Sequence, residues 1–207
     1  YLSETVIIAT GASPVLLNVQ GEKELTGKGV SYCATCDGWF FKDKEIVVVG
    51  GGDSALEEAN FLTRFAAKVT VVHRRDTFRA GALLQKRAHE NPKITFILDS
   101  VVKAINGSDK VTSVSVENLK SGETTELKTD GVFVFIGHSP NNLPYAGQLE
   151  MDSNGYLVVD KNMLTSVDGV YACGEAADAN FKQVVTSAGM GAAAAIAADR
   201  YLSHKTS

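Results

Sequence analysis

Short, continuously apolar runs punctuate this chain, and each stops at glycine or at a polar cluster. Thr5-Val6-Ile7-Ile8-Ala9 runs into Thr10-Gly11-Ala12-Ser13-Pro14 and predicts a strand followed by a loop. Glu45-Ile46-Val47-Val48-Val49 shows no polar alternation, the pattern of a strand covered on both faces of a parallel sheet. Gly50 to Gly52 predict a tight turn, and a helix should begin at Asp53 or Ser54. Beyond them Ala55, Leu56, Ala59, Phe61, Leu62 and Phe65 recur at helical spacing. Lys68-Val69-Thr70-Val71-Val72 predicts a second strand, closed by His73-Arg74-Arg75-Asp76, so this region reads as a βαβ unit. A helix is expected over Phe78 to Glu90, stopped before Pro92, and a strand over Ile94 to Leu98.

The pattern then changes. Val101 to Ile105, Val111 to Asn118 and Thr124 to Lys128 predict antiparallel strands, with Asn106-Gly107 and Ser121-Gly122 as turns. Gly131 to Gly137 is apolar again and predicts a buried strand that returns to the sheet. Tyr156 to Asp160 and Gly169 to Gly174 predict short strands. Gln183 to Leu202 is alanine-rich and predicts a helix, with Gly189 and Gly191 allowing close packing near its start. Residues 15–30 and Pro140 to Pro144 read as connectors. No repeat and no low-complexity segment interrupts this order.

Composition narrows the classes. A chain of 207 residues is enough for one large domain or two small ones. With 20 basic against 24 acidic residues, a general nucleic-acid surface is disfavoured, while a local basic patch for phosphate is not. No run is apolar and long enough to span a bilayer, and the first residues lack a signal-peptide layout. Three cysteines, two of them close together, do not make the framework of a secreted protein and suit a reducing cytosol with one working pair. The chain opens on Tyr1-Leu2-Ser3-Glu4 without an initiator methionine, and the expectation is a fragment whose upstream portion is missing.

Two stretches carry the chemistry. Gly50-Gly51-Gly52-Asp53-Ser54-Ala55 sits between a buried strand and a helix, where a dinucleotide fingerprint belongs. Gly50 permits the turn, Gly52 lets backbone approach a pyrophosphate, and Ala55 keeps helix and strand close. The free N–H groups of the helix start face the phosphates. An NAD site places an acid at the end of the second strand; here stand His73, Arg74 and Arg75, with Arg79 one turn on. Guanidinium groups grip a 2′-phosphate with paired hydrogen bonds, which favours NADPH over NADH. The plainer reading of the arginines is a solvated strand end with surface ion pairs, and His73 equally suits packing or capping.

The second stretch is Cys33-Ala34-Thr35-Cys36-Asp37-Gly38. A CxxC pair reads as metal-binding or redox. Structural zinc needs four ligands, and Cys173, His73, His89, His138 and His204 lack the spacing to complete a set. In the redox reading Asp37 moves protons to and from the sulfurs; its plainer reading is a turn or N-cap residue. Cys173 reads as a small buried apolar residue. A flavin suits the step between a nicotinamide and a dithiol.

With these residues in place the chain closely resembles the low-molecular-weight thioredoxin reductases of bacteria, fungi and plants. The resemblance covers essentially all 207 residues. It rests on Ala9-Thr10-Gly11-Ala12-Ser13, the dithiol stretch, Gly50 to Ala55, His73-Arg74-Arg75 with Arg79, Gly137-His138-Ser139-Pro140-Asn141, and Gln183 to Gly191. It implies an α/β protein with two Rossmann-like, three-layer nucleotide-binding domains of the FAD/NAD(P)-binding type, the FAD domain incomplete in this chain. Residues 1–15 would end the N-terminal part of the FAD domain and 142–207 would form its C-terminal part. Residues 16–141 would form the NADPH domain carrying the CxxC, with hinges near 15 and 141.

By the same resemblance Cys36 faces the flavin, Cys33 attacks the thioredoxin disulfide, and Asp37 is the acid/base. Arg74, Arg75 and Arg79 hold the 2′-phosphate. Thr10, Gly11, Gly174, Glu175, Lys182, Gln183 and Val184 fall at FAD contacts; Gly50, Gly52, Asp53, Ser54, Ala55 and His73 fall at NADPH. Two departures stand out. The family's Gly-Asp is Gly174-Glu175 here, with Asp178 nearby as a substitute, and its Arg-Gln-Ala is Lys182-Gln183-Val184. The expected function is a cytoplasmic, homodimeric thioredoxin-disulfide reductase passing electrons from NADPH through FAD. Its alternatives are the flavoprotein subunit of an alkyl hydroperoxide reductase-like system and, for the isolated piece, a non-catalytic NADPH-binding module. Alone, the piece is expected to be inactive as an enzyme, with no NADPH-driven turnover of thioredoxin.

Overall fold

The computed structural model describes residues 2–205. Tyr1, Thr206 and Ser207, at the ends of the sequence-based division, lie outside the described residues. The first half of the chain runs β1 (Val6–Ile8), β2 (Ala12–Pro14), β3 (Val30–Ser31), α1 (Ala34–Asp37), β4 (Glu45–Val49), α2 (Asp53–Leu62), β5 (Lys68–Val72) and α3 (Ala82–Glu90). There follow β6 (Ile94–Ile97), β7 (Ser100–Gly107), β8 (Val111–Asn118), β9 (Thr124–Lys128), β10 (Gly131–Val134), β11 (His138–Pro140), β12 (Val170–Ala172) and α4 (Val184–Lys205).

Two compact units result. Val15–Gly137 form the continuous one, and the segments before and after it form the other. The breaks fall at Pro14/Val15 and Gly137/His138, a little before the sequence-based 15/16 and 141/142. The reason is pairing: β11 is antiparallel to β2, with Ser139 opposite Ser13, and the Asn141 N–H donates to the Gly11 carbonyl at 2.9 Å. Residues 138–141 are thereby bound to the discontinuous unit.

The continuous unit is built on a five-stranded parallel sheet of order β3-β10-β4-β5-β6. Alternate side chains go to opposite faces. Ile46, Val48, Val69, Val71 and Phe133 pack with Leu56, Ala59 and Leu62 of α2 and Ala88 of α3. Val47, Val49, Val72, Val132 and Val134 pack with Val102, Ile105, Val114 and Val116 of the antiparallel sheet β7-β8-β9. This double cover is why β4 and β5 read as unbroken apolar runs. Leu56 and Leu62 are fully buried, each contributing roughly 2–3 kcal/mol by area.

Several expectations are corrected. The helix expected from Phe78 begins at Ala82, because the N–H groups before it are taken by tertiary partners: Arg79 donates to the Gly51 carbonyl at 2.8 Å and Gly81 to Asp53 Oδ1 at 2.7 Å. Asn106-Gly107 is not a turn but the end of β7, at a shift in register, and residues 108–110 make the reversal. Tyr156 to Asp160 form no strand; one bridge joins Leu157 to Met151, and Asp152 Oδ1 closes the loop on the N–H groups of Asn154 and Tyr156.

In the discontinuous unit β1 pairs in parallel with β12, Val6 opposite Val170. Tyr171 and Cys173 pack on Ala194 and Ala198 of α4. Asn142 is buried, and its amide donates to the carbonyls of Gly155 (2.9 Å) and Ala176 (2.8 Å). No helix among the described residues is long and apolar enough to cross a membrane.

Candidate active site

In a parallel sheet all strands end on one edge, so the chain leaves β3 and β4 on the same side, with only β10 between them. That lateral separation is about 10 Å. From the end of β3 the chain enters α1. Cys33 is its N-cap, Sγ accepting the Cys36 N–H at 3.2 Å, and Cys33 and Cys36 are joined as a disulfide with Cα atoms 5.3 Å apart. Cys36 is exposed and Cys33 half-buried. Asp37 closes α1, and its Oδ2 accepts the Ser31 hydroxyl at 2.6 Å. A Cβ on Gly38 would lie 3.0 Å from Leu62, so the missing side chain lets the segment Gly38–Phe41 sit close on the end of α2. Phe41 packs against Phe133, while Trp39 and Phe40 remain largely exposed.

At the end of β4 the three glycines do different work. Gly50 has φ +152°, and a Cβ there would meet the Phe135 carbonyl oxygen at 2.4 Å. A Cβ on Gly51 would be 2.2 Å from His73 Nδ1, a close approach that the sequence reading missed. Gly52 has open space on its Cβ side and caps α2 without any side-chain hydrogen bond, so the first N–H groups of that helix are uncovered. Those are the features a pyrophosphate cradle needs. Ala55 is fully buried and Ser54 exposed, while the Asp53 carboxylate is committed to the Gly81 N–H.

Arg74, Arg75 and Arg79 are exposed beyond β5, and none forms an ion pair with a described carboxylate. The nearest acid in sequence, Asp76, is engaged by Lys120 at 3.7 Å, and the same ammonium holds Asp99 at 2.8 Å. The arginine loop is pinned from below by Asp99 N–H on the Arg75 carbonyl at 3.2 Å. Three unpaired guanidinium groups around an uncapped helix start can hold a phosphate.

His73 is buried, stacked on Phe78 with ring centroids 5.3 Å apart, and Nε2 donates to the Thr77 carbonyl at 3.1 Å. Burial pushes its pKa below the usual histidine value; the Thr77 carbonyl works against this, and the charges of Arg74, Arg75 and Arg79 reinforce it. A base with a depressed folded pKa contributes stability that is present above its unfolded pKa, about 6.5, and lost as pH falls. The His73 ring proton, followed by NMR, is expected to titrate with a midpoint below that value, and the urea midpoint of the protein to fall between pH 7.5 and 5.5. A midpoint at or above the free-histidine value would contradict this.

In the discontinuous unit a cavity of about 270 Å³ is lined by Ala9, Gly11, Ala12, Cys173, Gly174, Glu175 and Ser187. Gly11 (φ +70°) has open space where a Cβ would be. Of the residues expected at a flavin, this brings together Gly11, Gly174 and Glu175. It does not include Thr10, which donates to Asn142 Oδ1 at 3.3 Å, nor Lys182, Gln183 and Val184. Lys182 donates its N–H to Asp178, Gln183 bonds the Phe181 carbonyl, and Val184 is exposed at the start of α4. Asp178 is no substitute for Glu175: it accepts the N–H groups of Asn180, Phe181 and Lys182 and the Thr186 hydroxyl. Burial alone would raise its pKa, but those bonds outweigh it and hold the carboxyl below the usual range. Burial raises the Cys173 thiol. Ala9 and Ser187 lie in the stretches that carry the resemblance but were not among the residues expected at the flavin.

A family model described as pyridine nucleotide-disulphide oxidoreductase matches residues 1–191. The chain belongs to this family. A thioredoxin reductase of Mycolicibacterium smegmatis is 50% identical over 206 residues, spanning 99% of this chain and 66% of the relative. A bifunctional thioredoxin reductase/thioredoxin of Mycobacterium leprae is 49% identical over 203 residues, 98% of this chain and 44% of its own length. The crystal structure of thioredoxin reductase from Streptococcus pyogenes superposes with a TM-score of 0.93 at 49% identity, over 97% of this chain and 66% of that one. The chain thus spans just under two thirds of the length of the M. smegmatis and S. pyogenes proteins. Thioredoxin reductases of this family use FAD and NADPH, and the glycine turn and the lined cavity fit such dinucleotides.

Proposed function

We propose that the chain carries the dithiol and NADPH-binding parts of a thioredoxin-disulfide reductase. The observation that carries this reading is the Cys33–Cys36 disulfide leaving the same edge of one sheet as the uncapped glycine turn and its unpaired arginines. Gly52, Ser54 and the first N–H groups of α2 would take the NADPH pyrophosphate, and Arg74, Arg75 and Arg79 its 2′-phosphate. Gly11, Gly174 and Glu175 would contribute to holding FAD, which when bound supplies the electron carrier between NADPH and the disulfide.

The chain's own residues then perform thiol–disulfide exchange. In the reduced pair the Cys33 thiolate attacks one sulfur of the partner disulfide, and the partner's other sulfur leaves, taking a proton from Asp37. Cys36 passes its proton to Asp37 and attacks Cys33, the mixed disulfide breaks, the partner's second sulfur takes that proton, and the partner departs as a dithiol with two electrons gained as the Cys33–Cys36 disulfide forms. A second copy of the chain and a cytoplasmic setting belong to the same reading.

The 207-residue chain tests this without flavin. Reduced beforehand and freed of reductant, it is expected to reduce a thioredoxin disulfide in a single turnover at least about tenfold faster than it reduces glutathione disulfide at equal concentration. Equal rates would remove thioredoxin as the partner.

A further inference from the structure

Ser31 stands where the sheet hands the chain over to the dithiol. It is the last residue of β3, in register with Phe133 of β10, and only 4% exposed. Its hydroxyl makes three contacts. Oγ accepts the Cys33 N–H at 3.1 Å, lies 2.6 Å from Asp37 Oδ2 and 3.2 Å from the Cys33 carbonyl oxygen. A serine has one proton to give, and the shorter, charge-assisted bond takes it. Among the described residues Asp37 Oδ1 has no hydrogen-bond partner. One carboxylate oxygen is therefore fixed to the sheet through Ser31 while the other is free. The same Oγ fixes the backbone of the first cysteine.

We propose that Ser31 is the positioning residue for Asp37, holding one carboxylate oxygen so that the other exchanges a proton with the sulfur that leaves when the Cys33–Cys36 bond breaks. This rests on reading Asp37 as the acid/base of the pair. Ser31 touches no reacting atom. It acts by removing the rotational freedom of the carboxylate, so that the proton need not wait for a chance orientation.

The experiment reduces the oxidised chain with excess dithiothreitol at pH 7 and follows Trp39, the sole tryptophan, by fluorescence. A dithiothreitol thiol gives its proton to Asp37 Oδ1 and attacks one sulfur, the Cys33–Cys36 bond breaks, and the released sulfur takes that proton from Asp37. The second dithiothreitol thiol then closes the ring disulfide and releases the other cysteine. Dithiothreitol is oxidised and the pair reduced, two electrons each. Asp37→Asn should slow the reaction about a hundredfold and Ser31→Ala about tenfold, while Ser31→Thr, which keeps the hydroxyl, should stay within about twofold of the unsubstituted chain. In the Asp37→Asn background Ser31→Ala should add less than about twofold, because a residue acting through Asp37 has nothing left to position.

A full tenfold loss in that background would mean Ser31 merely supports the loop, and would overturn the proposal. So would a Ser31→Thr variant as slow as Ser31→Ala, or a Ser31→Ala variant at the unsubstituted rate. If Asp37→Asn itself reacts at the unsubstituted rate, the acid/base reading fails, and the proposal with it.

Discussion

Replacing Arg74, Arg75 and Arg79 together by alanine is expected to weaken NADPH binding by about a thousandfold and NADH binding by only a few-fold. Each guanidinium that grips a phosphate oxygen contributes a charge-assisted hydrogen bond, typically about 1.5–3 kcal/mol. Three such bonds on one phosphate share their charge, so the triple loss falls short of the sum of single losses. No described carboxylate pairs with these side chains, so their removal leaves no buried charge behind and should spare the fold. Asp76, the acid beside them, is held by Lys120 and is not available to favour a ribose hydroxyl. Titration calorimetry of the 207-residue chain with NADPH and NADH checks this. An affinity ratio unchanged from the unsubstituted chain would make the arginines a solvated strand end and nothing more. Single replacements should each cost about thirtyfold and show a weaker salt dependence than the parent.

The second large effect concerns stability. Glu22 has no exposed surface, yet it is a carboxylate. Its Oε1 accepts the Leu17 N–H at 2.9 Å and the Tyr32 hydroxyl at 3.1 Å, and its Oε2 accepts the Asn18 N–H at 2.7 Å. Glu22→Ala would take the acceptor away from three part-buried donors, the Leu17 and Asn18 N–H groups and the Tyr32 hydroxyl, and leave a cavity besides. A loss of about 2–4 kcal/mol is expected. Glu22→Gln keeps the shape but offers one acceptor oxygen and two unwanted donors, and should cost about 1–3 kcal/mol. Urea unfolding at pH 7 measures both. A Glu22→Ala variant within about 0.5 kcal/mol of the parent would show that water replaces the carboxylate freely. Tyr32 adjoins Cys33, so a loosened Glu22 should also be felt as faster reduction of the disulfide by small thiols.

Glu22 shows where the sequence was legible and where it was not. β4 and β5 begin and end on the residues that the pattern marks, because both faces of those strands are covered and every position after the leading Glu45 and Lys68 is buried, Thr70 by bonding to Thr95 and the others as apolar side chains. The dithiol and the glycine turn were legible because their chemistry needs particular residue types at fixed spacing. Residues 15–30 read as a plain connector, since a buried glutamate that satisfies backbone N–H groups looks like a solvated one until the fold closes around it. Asn142 was hidden because its partners, Gly155 and Ala176, lie on other stretches of chain, and Ser31 because Cys33 and Asp37 come beside its hydroxyl only once the chain has turned into α1. The start of α3 was misplaced because Gly51 and Asp53, some thirty residues upstream, take the N–H groups of Arg79 and Gly81. Gly51 itself looked like a spare glycine, and only the His73 ring explains it.

The parallel pairing of β1 with β12 carries a last consequence, in the order of events during synthesis. Val6 meets Val170, among the most distant pairings in the chain. Contacts of such sequence separation form slowly, because a long loop must close before any ladder bond forms. At about 5–20 residues per second, β1 waits on the order of ten seconds or more for its partner to be translated. Val15–Gly137, being continuous, can complete its sheet in that interval. The β1–β12 ladder therefore closes after the continuous unit has folded, so the discontinuous unit is the later of the two to be completed.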